Sequence, residues 1–223
     1  NMQYAEIIVN TKTKKLDQTF TYLIPPILLP DIKPGILVTV PFRNKNIEGV
    51  IWSVKKFEKR KIISKLKPIK NIITSDIIFF PNWQEMTKIM SEYYFVSFSS
   101  VVFSMIPPIA KRVVDKQGEK NTFLKNNGKI NYIVDKYPNR LKHYLKIIKK
   151  SLQYKKQILI LTTELFNNEL IKFLADNFSE KILVYNTKKT ISSRYKDWLD
   201  IKNNKYSIVI GTRSAIFTPL KNL

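Results

Sequence analysis

The chain contains no cysteine and a single histidine, His143, among its 223 residues. Disulfides and thiolate-ligated metal centres are therefore excluded, and an imidazole-based zinc site lacks the ligands it needs. Glycine is also scarce, with five in all. The pattern G-x-x-x-x-G-K-[ST], in which glycines let backbone N–H groups converge on phosphates, does not occur. No apolar run approaches the roughly 18 residues of a membrane span. The N-terminus lacks the basic-then-apolar order of a secretory signal, so a cytoplasmic location without membrane contact is the expectation. Acidic residues are few: 17 Asp and Glu stand against 39 Lys and Arg, a formal net charge of +22. No acid–base pair, nucleophile or metal-ligand cluster stands out, so no catalytic residue, cofactor or metal is expected.

What is present starts with that positive charge, which suits neutralisation of nucleic-acid phosphates. Only six of the basic residues are arginine. A lysine-rich balance with abundant Ile and Asn also arises from AT-rich coding, so the charge by itself leaves both origins open. A hydrophobic content of 44% with 25% charged residues is ordinary for a globular chain. The length accommodates one large domain or two modest ones.

Residues 4–11, 19–25, 36–42, 47–56 and 66–74 read as strands, being short, β-branched or aromatic, and set off by Pro, Gly, Asn or Lys. Lys33-Pro34-Gly35 supplies a turn in which proline fixes φ and glycine accepts φ > 0. A helix is expected from Pro81, with Trp83, Met86, Ile89, Met90, Tyr93 and Tyr94 at helical spacing as a core stripe. A further apolar segment, 101–106, closes at Pro107-Pro108. These elements suggest a small β-barrel or rolled sheet against one or two helices over residues 2–108. Residues 109–128 mix Lys and Arg with Asp, Glu, Asn and Gly and read as a linker. From Lys129 onward strands (130–134, 157–163, 181–186, 206–212) alternate with helices (139–152, 167–177, 192–202). That order indicates a parallel sheet over residues 129–223. His143 falls at a mostly polar helical position and reads as solvated. The fold class is thus α+β followed by α/β.

Several segments in the first half carry a resemblance. Leu16-Asp17-Gln18-Thr19-Phe20-Thr21-Tyr22-Leu23-Ile24-Pro25, Pro34-Gly35-Ile36-Leu37-Val38-Thr39-Val40-Pro41-Phe42, Gly49-Val50-Ile51 and Leu66-Lys67-Pro68-Ile69 resemble, in order and spacing, the 3′ DNA-binding domain of the primosomal protein N′ (PriA) replication-restart helicases. The Tyr93-Tyr94 helix end and Ile106-Pro107 fit as well. The resemblance implies a pocket for the terminal base and 3′-hydroxyl of a leading strand, formed by Phe20, Thr21, Tyr22, Arg43 and Lys67. An aromatic there would stack on a base, typically worth about 1–3 kcal/mol, and Lys67 would neutralise a phosphate. The family usually has Asp where Thr21 stands, and Thr lacks the charge assistance that strengthens such a hydrogen bond. It usually has Gly where Arg43 stands. Phe20 and Tyr22 share one strand face, so core packing is the alternative to stacking.

In the second half Gly211-Thr212-Arg213-Ser214-Ala215-Ile216-Phe217 closely resembles an element of that family's first, RecA-like motor lobe, on its strand-contacting side. Thr212, Arg213 and Ser214 are the implied DNA contacts, and a tight strand-end turn is the alternative role for Gly211 and Ser214. The family's phosphate-binding loop should follow 130–134. The chain instead reads Asp135-Lys136-Tyr137-Pro138-Asn139-Arg140-Leu141, with no glycine, a proline where donors are needed, and Leu in place of the magnesium-binding hydroxyl. Val-Pro-Glu is replaced by Thr162-Thr163-Glu164, and the Asp-Glu-Glu-His box lies downstream in the family. The expected function is a non-enzymatic DNA-binding protein of replication restart, recognising forks, 3′ ends and single-/double-strand junctions, with replication or primosome proteins as possible partners. One alternative is the N-terminal portion of an ATP-dependent 3′–5′ DNA helicase. Another is a module whose degenerate lobe docks a replication partner.

Overall fold

The computed structural model describes residues 3–11, 19–57, 66–107, 109, 128–163, 168–178 and 182–223. The chain divides into two units, Asn1–Lys120 and Asn121–Leu223. No described helix is long and apolar enough to cross a membrane.

The first unit contains strands β1 (Gln3–Val9), β2 (Phe20–Leu23), β3 (Leu37–Phe42), β4 (Lys45–Lys56) and β5 (Asn71–Thr74), then helices α1 (Trp83–Tyr94) and α2 (Phe98–Met105). The strands form one antiparallel sheet in the order β2-β1-β4-β3-β5. Period-two alternation sends Ala5, Ile7, Val9, Tyr22, Val38, Val40 and Ile51 to one face, where they make a continuous core. The sheet curls around that core. Tyr22 on β2 donates its hydroxyl to the Pro41 carbonyl on β3 at 3.1 Å, although two strands separate them in the ladder. The Leu23 N–H donates to the Lys67 carbonyl and the Ile69 N–H to the Leu23 carbonyl, both at 3.0 Å. One residue on, the Lys70 N–H donates to the Thr39 carbonyl of β3 at 2.9 Å. The segment entering β5 therefore touches β2 at one isolated bridge, Leu23–Pro68. Only 71–74 of the expected strand 66–74 joins the ladder, because Pro68 has no N–H to give.

Turns follow their residues. Gly35 lies at φ +89°, and a Cβ there would meet the Phe79 carbonyl oxygen at 2.1 Å. The helices cover the other sheet face. Gln84 Nε2 donates to the Trp52 carbonyl at 2.8 Å, and Ser99 Oγ donates to the Val9 carbonyl at 2.8 Å. Helix α1 starts two residues after Pro81, and its buried side shares only Trp83 with the expected stripe. Trp83, Thr87 and Ser91 face inward, whereas Ile89, Tyr93 and Tyr94 are exposed and Met86 and Met90 are half-buried. Two small hydroxyl residues bring the helix close to its support, and their polarity is satisfied at once. Thr87 Oγ1 donates to the Trp83 carbonyl and Ser91 Oγ to the Val96 carbonyl. Periodicity found the helix, but tertiary packing chose its narrow polar face. Residues 101–106 lie mostly within α2, which Ser97 caps by accepting the Ser100 N–H at 3.2 Å.

The second unit contains α3 (Tyr137–Gln153), β6 (Ile158–Leu161), α4 (Asn168–Asn177), β7 (Ile182–Tyr185), α5 (Ile191–Lys202) and β8 (Ile208–Gly211). Its three strands are parallel in the order β6-β8-β7. The central β8 is buried along its whole length, as its unbroken apolar sequence requires in a sheet covered on both faces. Ile148 of α3 and Leu174 of α4 pack on one face with Ile208 and Ile210, and Ile201 of α5 packs on the other with Val209. The expected strand at 130–134 is corrected. It pairs with no strand among the described residues, and Ile130, Tyr132 and Val134 are 80%, 87% and 98% exposed. Among the described residues the sheet consequently has three strands rather than four. His143 is solvated as expected, with Nε2 at 3.7 Å from Asp135 Oδ2. The linker 109–128 falls, except for Ile109 and Gly128, outside the described residues.

Candidate nucleic-acid interface

The sequence-nominated residues of the first unit gather around β2. Pleating turns Phe20 and Tyr22 inward and Thr21 outward. Tyr22 is 4% exposed, and its ring belongs to the core, with burial raising its hydroxyl above the usual phenol range. Its surface is taken, and of the two rings only Phe20 keeps accessible surface. Phe20 is half-buried and meets Phe42 edge-to-face at 5.1 Å. The Arg43 guanidinium lies 5.7 Å from the centre of the Phe42 ring. Phe42, which sequence reasoning did not nominate, thus joins Phe20 to Arg43. A hydrophobic residue ending a strand before a two-residue turn is a signal that could have found it.

Arg43 and Asn44 form the turn between β3 and β4, with Phe42 paired to Lys45. Arg43 adopts φ +52°, a left-handed backbone that costs any residue with a Cβ. Such hairpin turns favour glycine at this position, and here a cation takes the strain while projecting into solvent. Lys67 is exposed, and its own carbonyl is anchored by the Leu23 N–H. The exposed Thr21 hydroxyl, the Lys67 and Arg43 cations and the Phe20 edge are therefore all tied to β2 or to the Phe42 contact on it. This offers a neutral hydroxyl, two positive charges and an aromatic edge, the chemistry suited to a sugar, its phosphates and a base.

In the second unit the C-terminal ends of β6 and β8 open into a hollow of about 630 Å³ lined by Leu161, Thr162, Thr163, Thr212 and Arg213. Ligands of open parallel sheets sit at this end. The Thr162 N–H donates to the Gly211 carbonyl at 2.9 Å, which brings the two threonine segments side by side. Gly211 is fixed by packing, since a Cβ there would lie 2.3 Å from the Ala215 Cβ. Thr212 and Arg213 face the hollow. Ser214 Oγ is buried and has no hydrogen-bond partner among the described residues. Thr162 and Thr163, which in sequence only depart from a family pattern, supply two of the hollow's hydroxyl-bearing residues.

At the place expected for a phosphate loop, a carboxylate is held beside the N-terminal end of α3. Asp135 Oδ1 accepts from the Lys136 N–H at 2.7 Å and from Asn139 Nδ2 at 3.1 Å. Hydrogen bonding from Asn139, then from the Lys136 N–H, holds the Asp135 carboxyl below its ordinary range. A fixed negative charge therefore stands where a triphosphate would have to approach. Glu164 and residues 165–167 lie outside the described residues.

Residues 6–107 match the family described as the 3′ DNA-binding domain of PriA. The chain is 28% identical over 222 residues to Replication restart protein PriA of Rickettsia felis, covering 91% of this chain and 34% of that protein. It is 32% identical over 87 residues to the Bacillus subtilis protein of the same name, covering 37% of this chain and 11% of the relative. Against PriA of Buchnera aphidicola from Acyrthosiphon pisum the identity is 39% over 85 residues, 38% of this chain and 12% of the relative. The chain thus spans about a third of the length of the curated rickettsial relatives it matches.

Proposed function

We propose that this PriA-like chain is a DNA-binding protein of replication restart that recognises fork or 3′-end structures in the cytoplasm and turns over no ATP. The observation that carries the reading is the grouping at β2 of the outward Thr21, the Phe20 edge, Arg43 and Lys67, within the stretch that matches the 3′ DNA-binding domain. In this reading the curled sheet is a small barrel that presents a terminal nucleotide pocket. The parallel lobe is a partial RecA-like unit whose Thr212 and Arg213, joined by Thr162 and Thr163, hold DNA backbone, while Ser214, its Oγ buried, serves the strand-end turn and not the DNA contact.

The absence of turnover rests on the α3 N-terminus. Phosphate binding there needs free backbone donors and no opposing charge. The chain offers Asp135 held in place, Pro138 without an N–H, and Leu141 where a magnesium-binding hydroxyl is needed. Fluorescence anisotropy on a fork with a 3′-hydroxyl leading strand, against the same fork ending in 3′-phosphate, tests the reading. Tighter binding to the hydroxyl end is expected, and equal binding would sink end recognition. Calorimetry with ATP–Mg²⁺ is expected to show no binding, and a micromolar affinity would refute the second half of the proposal.

One observation favours a second reading, a lobe that docks a replication protein. Ile130, Tyr132 and Val134 alternate along a segment outside any strand among the described residues and are almost fully exposed. Soluble chains seldom leave such a run uncovered.

A further inference from the structure

Thr21 has a cross-strand neighbour with a chemistry of its own. In the β1–β2 ladder Thr21 pairs directly with Glu6. Directly opposed residues of antiparallel strands share a sheet face with Cβ atoms about 4.5–5.5 Å apart. Glu6 is in turn opposite Ser53 on β4. Its carboxylate accepts from Ser53 Oγ at 2.7 Å through Oε2 and from Lys55 Nζ at 2.8 Å through Oε1. The Lys55 and Ser53 hydrogen bonds outweigh desolvation and hold the carboxyl below its ordinary range, so it is ionised at neutral pH. The Glu6 side chain keeps 25% of its surface exposed.

Two engaged oxygens do not exhaust this group. A carboxylate offers about four acceptor positions, and each oxygen here has one occupied by a donor from β4. The Thr21 hydroxyl is exposed beside it. A fixed anion flanked by a hydroxyl repels phosphate and attracts a hydroxyl: the ligand O–H donates to Glu6 while its oxygen accepts from Thr21. Arg43, linked to β2 through Phe42 and Phe20, and Lys67, whose carbonyl is held by the Leu23 N–H, are cations suited to the phosphates that precede a terminus. A negative charge so placed in a chain of net charge +22 works against general backbone binding. It is explained if a hydroxyl must be told from its absence.

We infer that Glu6 is the acceptor for the terminal sugar hydroxyl, acting across the strand ladder together with Thr21. The inference rests on the 3′-end reading given under Proposed function and names the group that reads the end. A hydrogen bond to an ionised acceptor is about twice as strong as a neutral one, so the carboxylate, and not the threonine, supplies most of the discrimination.

The test measures anisotropy on forks whose leading strand ends in a 3′-hydroxyl or in a 2′,3′-dideoxynucleotide, a pair that differs in the hydroxyl and not in charge. The wild type is expected to favour the hydroxyl end by roughly tenfold. Glu6→Gln is expected to reduce that preference to about twofold or less with little change in affinity for the dideoxy end. Lys55→Ala removes the ion pair but keeps the carboxylate, and is expected to keep the preference. Loss of preference in Lys55→Ala and Glu6→Gln alike would mean that the pair only shapes the sheet, and the inference would fall. A preference retained in Glu6→Gln would also overturn it while leaving end reading intact. A wild type without preference would overturn end reading itself, and this inference with it.

Discussion

Arg43 combines a backbone cost with a side-chain gain. Its left-handed φ of +52° costs a residue with a Cβ about 1–2 kcal/mol, against which the guanidinium over Phe42 returns about 0.5–1 kcal/mol at an exposed site. Arg43→Gly is therefore expected to stabilise the first unit by about 0.5–1 kcal/mol, a rise of a few degrees in Tm for a unit of this size. Affinity for DNA should drop in the same variant if the cation contacts phosphate. Thermal melts and anisotropy on one preparation separate the two effects. Glu6 gives a pH prediction of opposite kind. Its folded pKa is lowered from the ordinary 4.5, so the unfolded chain binds more protons in acid. The stabilisation from Lys55 and Ser53 is complete above pH 4.5 and is lost as pH falls through the lowered value. Ser53→Ala is expected to flatten this acid limb in melts recorded between about pH 3 and pH 7, with little change in its slope above the ordinary value.

At the scale of elements, helix ends and narrow contacts decide more than periodicity does. Helix α2 has a serine at its N-cap whose side chain takes one otherwise orphaned N–H. Ser97→Ala is expected to cost about 1 kcal/mol, read as a fall of several degrees in Tm. Helix α1 shows the limit of pattern reading. Its apolar residues recur at helical spacing, yet the face that packs is Trp83, Thr87 and Ser91. Hydroxyls that bond back to the chain can be buried cheaply, and their small size permits close approach, whereas Tyr93 and Tyr94 remain outside. The strand misassigned at 130–134 has a related cause. Its alternation is strand-like, but a strand exists only where a partner completes its hydrogen bonds, and composition cannot supply the partner.

At the scale of the whole molecule, charge and topology set the behaviour toward DNA. With a net charge of +22, binding should weaken steeply with salt, in proportion to the phosphates contacted. Lys67→Ala is expected to lower affinity for free and blocked 3′ ends alike and to reduce the salt slope by about one. A variant that changed only the hydroxyl preference would instead place Lys67 at the terminus. In the second unit, Arg213→Ala should reduce affinity for single-stranded DNA without affecting the 3′-hydroxyl preference, because the two sites lie in separate units.

The sequence by itself determined the class of each half. Short β-branched segments ending in proline and glycine made an antiparallel sheet with helices, and strands alternating with helices made a parallel one, because these periods are local properties of the chain. It also determined that residues 135–141 carry no glycine and one proline, a local feature that needs no neighbours to act. Thr21, Lys67 and Arg43 were legible as candidates because their residue types departed from, or kept to, a recognisable pattern. Only the tertiary structure decided that Tyr22 belongs to the core, that Phe42 links Phe20 to Arg43, and that Glu6 stands opposite Thr21. Register, burial and the approach of distant strands arise from long-range pairing, and a one-residue slip would send every one of these side chains to the other face.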